Sequence, residues 1–135
     1  MPRNETDNPN IMNFNKNSIF SLSPIPIENI NPMITNILIP GESVKAAFKT
    51  IRDQIIFTDK RIIAMNIQGI GVRKMFVSFP YKNIQYFSVQ TPGLLEIVTD
   101  AELTLYFNNG FSAVYEFRGK TDIGTLVQLI APYTL

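Results

Sequence analysis

The chain has 135 residues, of which 45% are hydrophobic and 17% are charged, and its formal net charge is +1. This length suits one domain, and the apolar fraction is enough to build a substantial core. A net charge near zero disfavours nucleic acid as a partner, because basic surfaces dominate that kind of binding.

Two residue types that carry much of enzyme chemistry are missing, since the chain contains no cysteine and no histidine. Their absence excludes disulfides, thiolate nucleophiles and Cys or His metal ligands, and it removes the side chain that titrates nearest neutral pH. We therefore expect no catalytic residue, no metal and no cofactor. No apolar run is long enough to span a membrane and residues 1–10 do not resemble a secretory signal, so we expect a cytoplasmic protein.

The first 30 residues are rich in Asn and Pro and show no hydrophobic period, which predicts a partly flexible N-terminal tail. Residues 31–135 are expected to form the domain. Within the tail, residues 19–27 are apolar enough to lie extended against the domain or against a neighbouring subunit.

A short helix is predicted immediately after this tail. Asn31 can cap it, Pro32 suits its first position, and Pro40 marks its end. So short a helix must pack its apolar side against something else to be stable. The apolar residues at helical spacing are Ile30, Met33, Ile34, Ile37 and Leu38.

After Gly41 the hydrophobic period changes to two, which predicts half-buried β-strands. Residues 59–60 and 108–110 are polar links typical of hairpins. In the first strand we expect Val44, Ala46 and Phe48 to share one face. About seven short strands are predicted, at residues 44–49, 54–58, 61–67, 72–79, 84–91, 103–107 and 111–117.

A second, amphipathic helix is predicted at the C-terminal end, where Thr121 or Asp122 supplies the cap and Pro132 ends the run. About seven strands followed by one helix indicate a mainly β fold, a barrel or two orthogonal sheets, with the helix closing the open end. The residues expected to pack there are Ile123, Leu126, Val127 and Ile130.

Several sequence runs resemble the bacterial pleckstrin-homology-like family over about residues 38–131. The runs are Pro-Gly-Glu at 40–42, Arg-Asp-Gln-Ile-Ile-Phe-Thr-Asp-Lys-Arg at 52–61, Gln-Gly-Ile at 68–70, Pro-Tyr-Lys-Asn-Ile at 80–84 and Phe-Ser-Val at 87–89. The chain departs from the family pattern in the turns at 69–74 and 91–93. The resemblance implies a pleckstrin-homology-like barrel, no catalytic activity, and ring-shaped homo-oligomers in which five subunits is the expected number.

One candidate site is basic. Lys45, Lys49 and Arg52 lie around the first strand and its turn, where related domains bind phosphate groups of lipids, and such cations can bind an anion through charge-assisted hydrogen bonds. The alternative, which we favour, is that these residues form the solvated face of an alternating strand.

The other charged residues have ordinary interpretations. Residues 59–61 could bind an anion, but a solvated hairpin tip explains them more simply. Arg52 and Asp53 could form an ion pair with a neighbouring strand or subunit. Glu96, Asp100 and Glu102 match no calcium-loop spacing, so they are interpreted as an acidic loop and the start of a strand. Gly69 and Gly71 lack the context of a nucleotide-binding turn.

Most of the aromatic residues in the strands are expected to enter the core, among them Phe87, Phe111, Tyr115 and Phe117. Two tyrosines are expected at the surface instead, Tyr106 on the outer face of a strand and Tyr81 in the break after Pro80. Exposed tyrosines suit contact surfaces because the ring is apolar and its tip is polar, so both are candidate partner contacts.

The leading hypothesis is therefore a non-catalytic module that assembles through exposed strand edges and presents a groove near the C-terminal helix to a peptide or protein partner. The alternative is a membrane-surface adaptor that binds anionic lipid headgroups, although membrane association is disfavoured.

Overall fold

The computed structural model describes residues 17–66, 74–91 and 97–135. Gly69, Gly71 and Glu96 lie outside the described residues. Within them, the chain forms ten strands and two α-helices. These are β1 (Asn17–Pro24), α1 (Pro32–Asn36), β2 (Val44–Lys49), β3 (Asp53–Thr58), β4 (Arg61–Asn66), β5 (Phe76–Pro80), β6 (Ile84–Gln90), β7 (Ile97–Thr99), β8 (Glu102–Phe107), β9 (Ser112–Phe117), β10 (Lys120–Asp122) and α2 (Ile123–Ile130).

Eight of the strands form one sheet in the order β5-β4-β3-β2-β1-β9-β8-β6, and β7 pairs with β10. The sheet curls around a core, and α2 packs against that core. The expected mainly β barrel with a C-terminal helix is therefore confirmed. The strand number is ten rather than about seven because β1 and the three-residue strands β7 and β10 have too little local pattern to be recognised.

The first strand joins the two halves of the sheet. β1 runs parallel to β9 over six residue pairs, from Asn17 opposite Ser112 to Leu22 opposite Phe117, and its end pairs with β2 in the antiparallel sense. Leu22 is fully buried. The sheet thus begins before the domain boundary expected at residue 31, and part of segment 19–27 does lie extended against the domain.

The main core fills the inside of the curled sheet. Strands from both halves of the sheet contribute the side chains of one face to it, as the hydrophobic period of two predicts. Phe57 contacts Tyr115 and Phe117 at ring-centroid distances of 5.6 and 6.4 Å, which links the two halves directly. Phe111, Tyr115 and Phe117 are buried as expected, whereas Phe87 is half-buried.

A second apolar layer covers the outer face of β2–β4, and α1 builds it. Asn31 caps α1 by accepting a hydrogen bond from the backbone N–H of Met33 at 2.9 Å, and Ile34 belongs to the same apolar cluster as Ile56 and Ile63 of the sheet. Because both faces of β3 and β4 are covered, these strands are buried almost throughout. The predicted short helix and its need for a packing surface are confirmed, but α1 ends at Asn36 rather than at Pro40.

A bulge in β2 changes one expected face. The pairing with β3 shifts between Val44 and Ala46, so Lys45 is the extra residue. Ala46 and Phe48 pack against the main core, but Val44 packs with the second apolar layer. The expectation that these three residues share a face is wrong for Val44, because a bulge interrupts strict alternation.

The C-terminal helix α2 closes the core. Asp122 is its cap and accepts a hydrogen bond from the backbone N–H of Thr125 at 3.1 Å. Ile123, Leu126 and Ile130 are buried in the main core, and Val127 packs against it half-buried. A hydrogen bond from Thr125 also holds the pKa of the exposed Asp122 carboxyl below its usual range.

Candidate binding surfaces

A groove with an aromatic surface opens beside β5. We name it the aromatic groove; it has a volume of about 420 Å³ and is lined by residues of β5, the β5–β6 link and the β8–β9 hairpin. Phe79 stacks on Phe111 at 5.8 Å and contacts Phe107 at 5.3 Å. Its lining residues are Val77, Ser78, Phe79, Pro80, Asn83, Phe107, Asn108, Asn109 and Phe111. None of them belongs to α2, so this groove is not at the C-terminal helix, where a partner groove was expected.

The chemistry of the aromatic groove is apolar with a polar, uncharged rim. Phe107 and Phe111 are largely buried, whereas Asn83, Asn108 and Asn109 are exposed. The turn that carries part of the rim depends on Gly110, whose φ of 87° favours glycine. Such a surface suits an uncharged apolar side chain with amide groups around it.

The two ends of the eight-stranded sheet form a second surface. Within the described residues, β5 pairs only with β4 and β6 pairs only with β8, so each has one free edge. β6 is regular from Tyr86 to Gln90 and contains no charged residue and no proline. Natural edge strands normally carry such residues to prevent pairing with other chains. The β6 edge is therefore well suited to accept another strand.

The three basic candidates do not converge on one point. Lys45 lies at the bulge in β2, and Lys49 lies four residues further along the strand, about 13 Å away at the usual rise per residue. Lys49 is exposed and lies near the same end of the sheet as Arg52, which is half-buried in the β2–β3 turn. The structure thus brings Lys49 and Arg52 to one end but separates Lys45 from them.

An exposed isoleucine lies between these two cations. The side chain of Ile51 is 83% exposed at the tip of the β2–β3 turn. The turn is held by Thr50, whose hydroxyl accepts hydrogen bonds from the backbone N–H groups of Arg52 and Asp53 at 3.1 and 2.9 Å. Ile51 was not among the residues expected at a binding site; an apolar residue in a turn between two cations is the sequence signal that identifies it.

Asp53 is a buried carboxylate at the start of β3. Burial raises its pKa to about 6, and the Thr50 hydroxyl and the Arg52 charge only partly oppose this rise. Its Oδ2 accepts a hydrogen bond from Thr50 Oγ1 at 3.4 Å, whereas its buried Oδ1 has no hydrogen-bond partner in the part of the chain that the structure describes. Asp53 is therefore held inside the protein and is not a surface ion-pair group.

The two candidate tyrosines differ in environment. Tyr106 is half-buried on the outer face of β8 and stacks on the exposed Tyr86 of β6, with centroids 4.2 Å apart. Tyr81 is fully buried, and its hydroxyl donates a 2.6 Å hydrogen bond to the carbonyl of Thr58. The expectation that Tyr81 offers a partner contact is wrong, because the short helical turn after Pro80 directs its ring inward rather than leaving it in an open break.

The charged hairpin tip is partly structural. Arg61 forms a largely buried ion pair with Glu42, in which Nε lies 2.9 Å from Oε2. Its guanidinium is therefore not free for an external anion. Lys60 is exposed and Asp59 half-buried at the tip, as a solvated turn predicts.

The acidic residues line a separate cavity of about 460 Å³. Glu102 lies opposite Glu116 in the β8–β9 pair, Asp100 is exposed beside them, and Arg118 bounds the same cavity. Within residues 17–66, 74–91 and 97–135, no group of three or more acidic side chains is placed to hold a metal ion.

The fold and these surfaces can be compared with known proteins. A family model described as "Bacterial PH domain" matches residues 13–134. The chain belongs to the bacterial PH domain family. Among the described helices, none has the length and apolar character needed to cross a bilayer.

Relatives of this bacterial PH domain occur in Bacillus subtilis. The chain is 40% identical to the uncharacterized protein YjqA over 98 residues, which cover 72% of this chain and 77% of YjqA. It is 37% identical to the uncharacterized protein YozO over 97 residues, which cover 72% of this chain and 82% of YozO.

Two solved structures share its architecture. A DUF1696 family protein with a pleckstrin-homology domain from Shewanella loihica superposes with a TM-score of 0.65 and 30% identity, covering 86% of this chain and 99% of that one. A pleckstrin homology domain from Shewanella amazonensis gives a TM-score of 0.54 and 33% identity, covering 84% and 91%. The pleckstrin-homology-like barrel expected from the resemblance is thus confirmed.

Proposed function

We propose that this bacterial PH domain is a non-catalytic, cytoplasmic binding module that assembles with copies of itself and presents the aromatic groove to a peptide or protein partner. The proposal is carried by the two ends of the eight-stranded sheet, where β5 and β6 each pair with a single strand among the described residues. Unpaired backbone N–H and C=O groups along an edge are a template for another strand, and pairing satisfies them.

Because the two edges belong to different strands, copies of the chain can assemble in two ways. If β6 pairs with β6 of a second copy, the interface is the same on both sides and assembly stops at two subunits. If β5 of one copy pairs with β6 of the next, each copy has two different contact surfaces, and a closed ring follows when the rotation closes. We propose the second arrangement, with five subunits as the number implied by the family resemblance.

The outer face next to β6 supports the same role. Tyr86 is 54% exposed and its ring is held in place by stacking on Tyr106. A preorganised aromatic pair beside a free edge adds apolar contact area at little entropic cost when a neighbour binds. Tyr106 therefore remains a proposed partner contact.

Mass determination by light scattering at tens of micromolar tests this proposal. We expect the mass of an assembly with more than two subunits. Ser88→Lys on β6 should lower this mass, because a lysine on an edge strand opposes pairing. Thr35→Lys adds the same charge on the exposed side of α1 and serves as the matched control. A strict monomer for the unmodified chain would overturn the proposal.

One observation favours the alternative of an anionic lipid surface as the ligand. Ile51 is 83% exposed between Lys49 and Arg52, which combines an apolar side chain for the acyl boundary with cations for the headgroups. Sedimentation with vesicles that contain anionic lipid tests it. Binding that is lost in both Ile51→Ser and Lys49→Glu, and retained in Lys45→Glu, supports this function; no binding by the unmodified chain excludes it.

A further inference from the structure

The aromatic groove opens where the described part of the chain begins. β1 runs parallel to β9, so both strands start at the same end of the sheet, and Asn17 lies opposite Ser112. Ser112 directly follows Phe111, which lines the groove. Residue 14 is three residues before Asn17 and can therefore reach up to about 10 Å from it. The residues that precede Asn17 are thus joined to the described chain beside the groove.

The composition of that segment matches the groove. Among residues 1–16, the longest stretch without a charged side chain is 8–15, and it contains Ile11, Met12 and Phe14. None of the nine residues that line the groove is charged. An apolar, uncharged segment therefore loses no ion hydration when it enters this site, and Phe14 can add a ring to the group formed by Phe79, Phe107 and Phe111.

Tethering strengthens the match. A ligand attached through a linker of about three residues is present at an effective concentration in the millimolar range, so weak contacts are enough to keep it bound. A separate partner must then displace it. The apparent affinity of that partner is its intrinsic affinity multiplied by the fraction of grooves that are free.

We propose that, in the binding module described above, the segment 11–14 docks in the aromatic groove of the same chain and acts as an internal competitor of the partner peptide. Docking in the same chain is favoured over docking in a second copy because the segment is joined to β1, which starts beside the groove of its own chain.

A single introduced cysteine measures whether the groove is covered, because the chain has no cysteine of its own. Asn83→Cys places the thiol on the groove rim, and Lys82→Cys places it one residue away, exposed and outside the lining. The rate of reaction with a maleimide is measured for each, alone and combined with Phe14→Asp. Asn10→Asp, which adds the same charge outside the apolar residues, is the matched control.

We expect Phe14→Asp to accelerate labelling of Cys at position 83 about fivefold or more, since labelling follows the fraction of free grooves. Labelling at position 82 and the effect of Asn10→Asp are expected to stay within about twofold, the change that small local perturbations produce. Phe14→Ala gives the same test without a new charge if Phe14→Asp impairs folding, which thermal unfolding would reveal.

Equal labelling at position 83 with and without the Phe14 substitutions would overturn the proposal. Protection that increases with protein concentration would also overturn it, because the segment would then come from a second copy. The labelling rate does not depend on ring formation, so a chain that fails to assemble still gives a decisive result.

Discussion

Glu42 and Arg61 are joined by two parallel hydrogen bonds, from Nε to Oε2 and from Nη2 to Oε1, each 2.9 Å long. The carboxylate also accepts a 2.7 Å hydrogen bond from Thr58 Oγ1, and the guanidinium donates to the carbonyl of Ile37 and to Ser78 Oγ. One ion pair thus connects the segment after α1 with β3, β4 and β5.

Glu42→Gln should destabilise the protein by about 2 to 3 kcal/mol, because Arg61 would lose its charged partner in a largely buried site. Chemical unfolding near pH 7 measures this loss. Glu28→Gln removes the same charge from an exposed residue and should change the free energy of unfolding by less than about 0.5 kcal/mol. Equal stability of the two variants would show that the pair contributes nothing net.

Asp53 should make the protein less stable as the pH rises from about 5 to 7.5. Its pKa in the folded state is about 6 and its ordinary value is 3.8, so the folded state binds the proton more tightly than the unfolded state does. The stabilisation is therefore present at low pH and lost as the pH rises through about 6. Over this window the loss is about 1 kcal/mol.

Asp53→Asn should abolish this pH dependence, because the amide carries no titrating proton. Unfolding measured at several pH values in that window checks it. Glu42 does not confound the result: burial raises its pKa, but hydrogen bonds from Arg61, Thr58 and Ile39 outweigh this and lower it to about 2. Its contribution is present above about pH 4.5 and is lost only as the pH falls towards 2. An unchanged pH profile in Asp53→Asn would contradict the assignment.

Tyr81→Phe should cost about 1 to 2 kcal/mol of stability, because the carbonyl of Thr58 would lose its 2.6 Å hydrogen bond from the buried hydroxyl. Tyr86→Phe removes a hydroxyl from an exposed ring and serves as the control for stability. Thermal unfolding compares the two. Since Tyr81 is buried, Tyr81→Phe should leave the mass of the assembly unchanged. A lower mass would show that Tyr81 contributes to a contact between subunits.

Leu22→Ala should destabilise the protein by about 2 to 5 kcal/mol, because Leu22 is fully buried and β1 joins the two halves of the sheet. Ile19→Ala on the same strand should have little effect, since Ile19 is 68% exposed. Urea unfolding of both variants tests whether β1 is part of the folded domain. A protein that tolerates Leu22→Ala as well as Ile19→Ala would show that β1 adds no stability.

Leu126→Ala in α2 should cost about 2 to 5 kcal/mol, because the side chain is almost completely buried in the main core. Gln128→Ala, on the exposed side of the same helix, is the control. A chain truncated after Gly119 should lose cooperative unfolding altogether. Thermal melting followed by circular dichroism measures both, and a truncated chain that still melts cooperatively would refute a structural role for α2.

The sequence by itself determined the elements whose signals are local. The β8–β9 hairpin follows from alternating apolar residues around a turn with Gly110, and α2 follows from apolar residues at helical spacing after the cap Asp122. In both, the residues that interact are close in the chain, so period and turn chemistry are sufficient.

The tertiary structure alone decided the features that depend on distant partners. β1 has no period of its own and becomes a strand because β9, almost 100 residues later, pairs with it. The hydroxyl of Tyr81 meets its hydrogen-bond acceptor, the carbonyl of Thr58, only in the folded sheet, and the aromatic groove exists because β5 meets the β8–β9 hairpin. Local propensity cannot encode such pairings, since their free energy arises only when the curled sheet brings the two partners together.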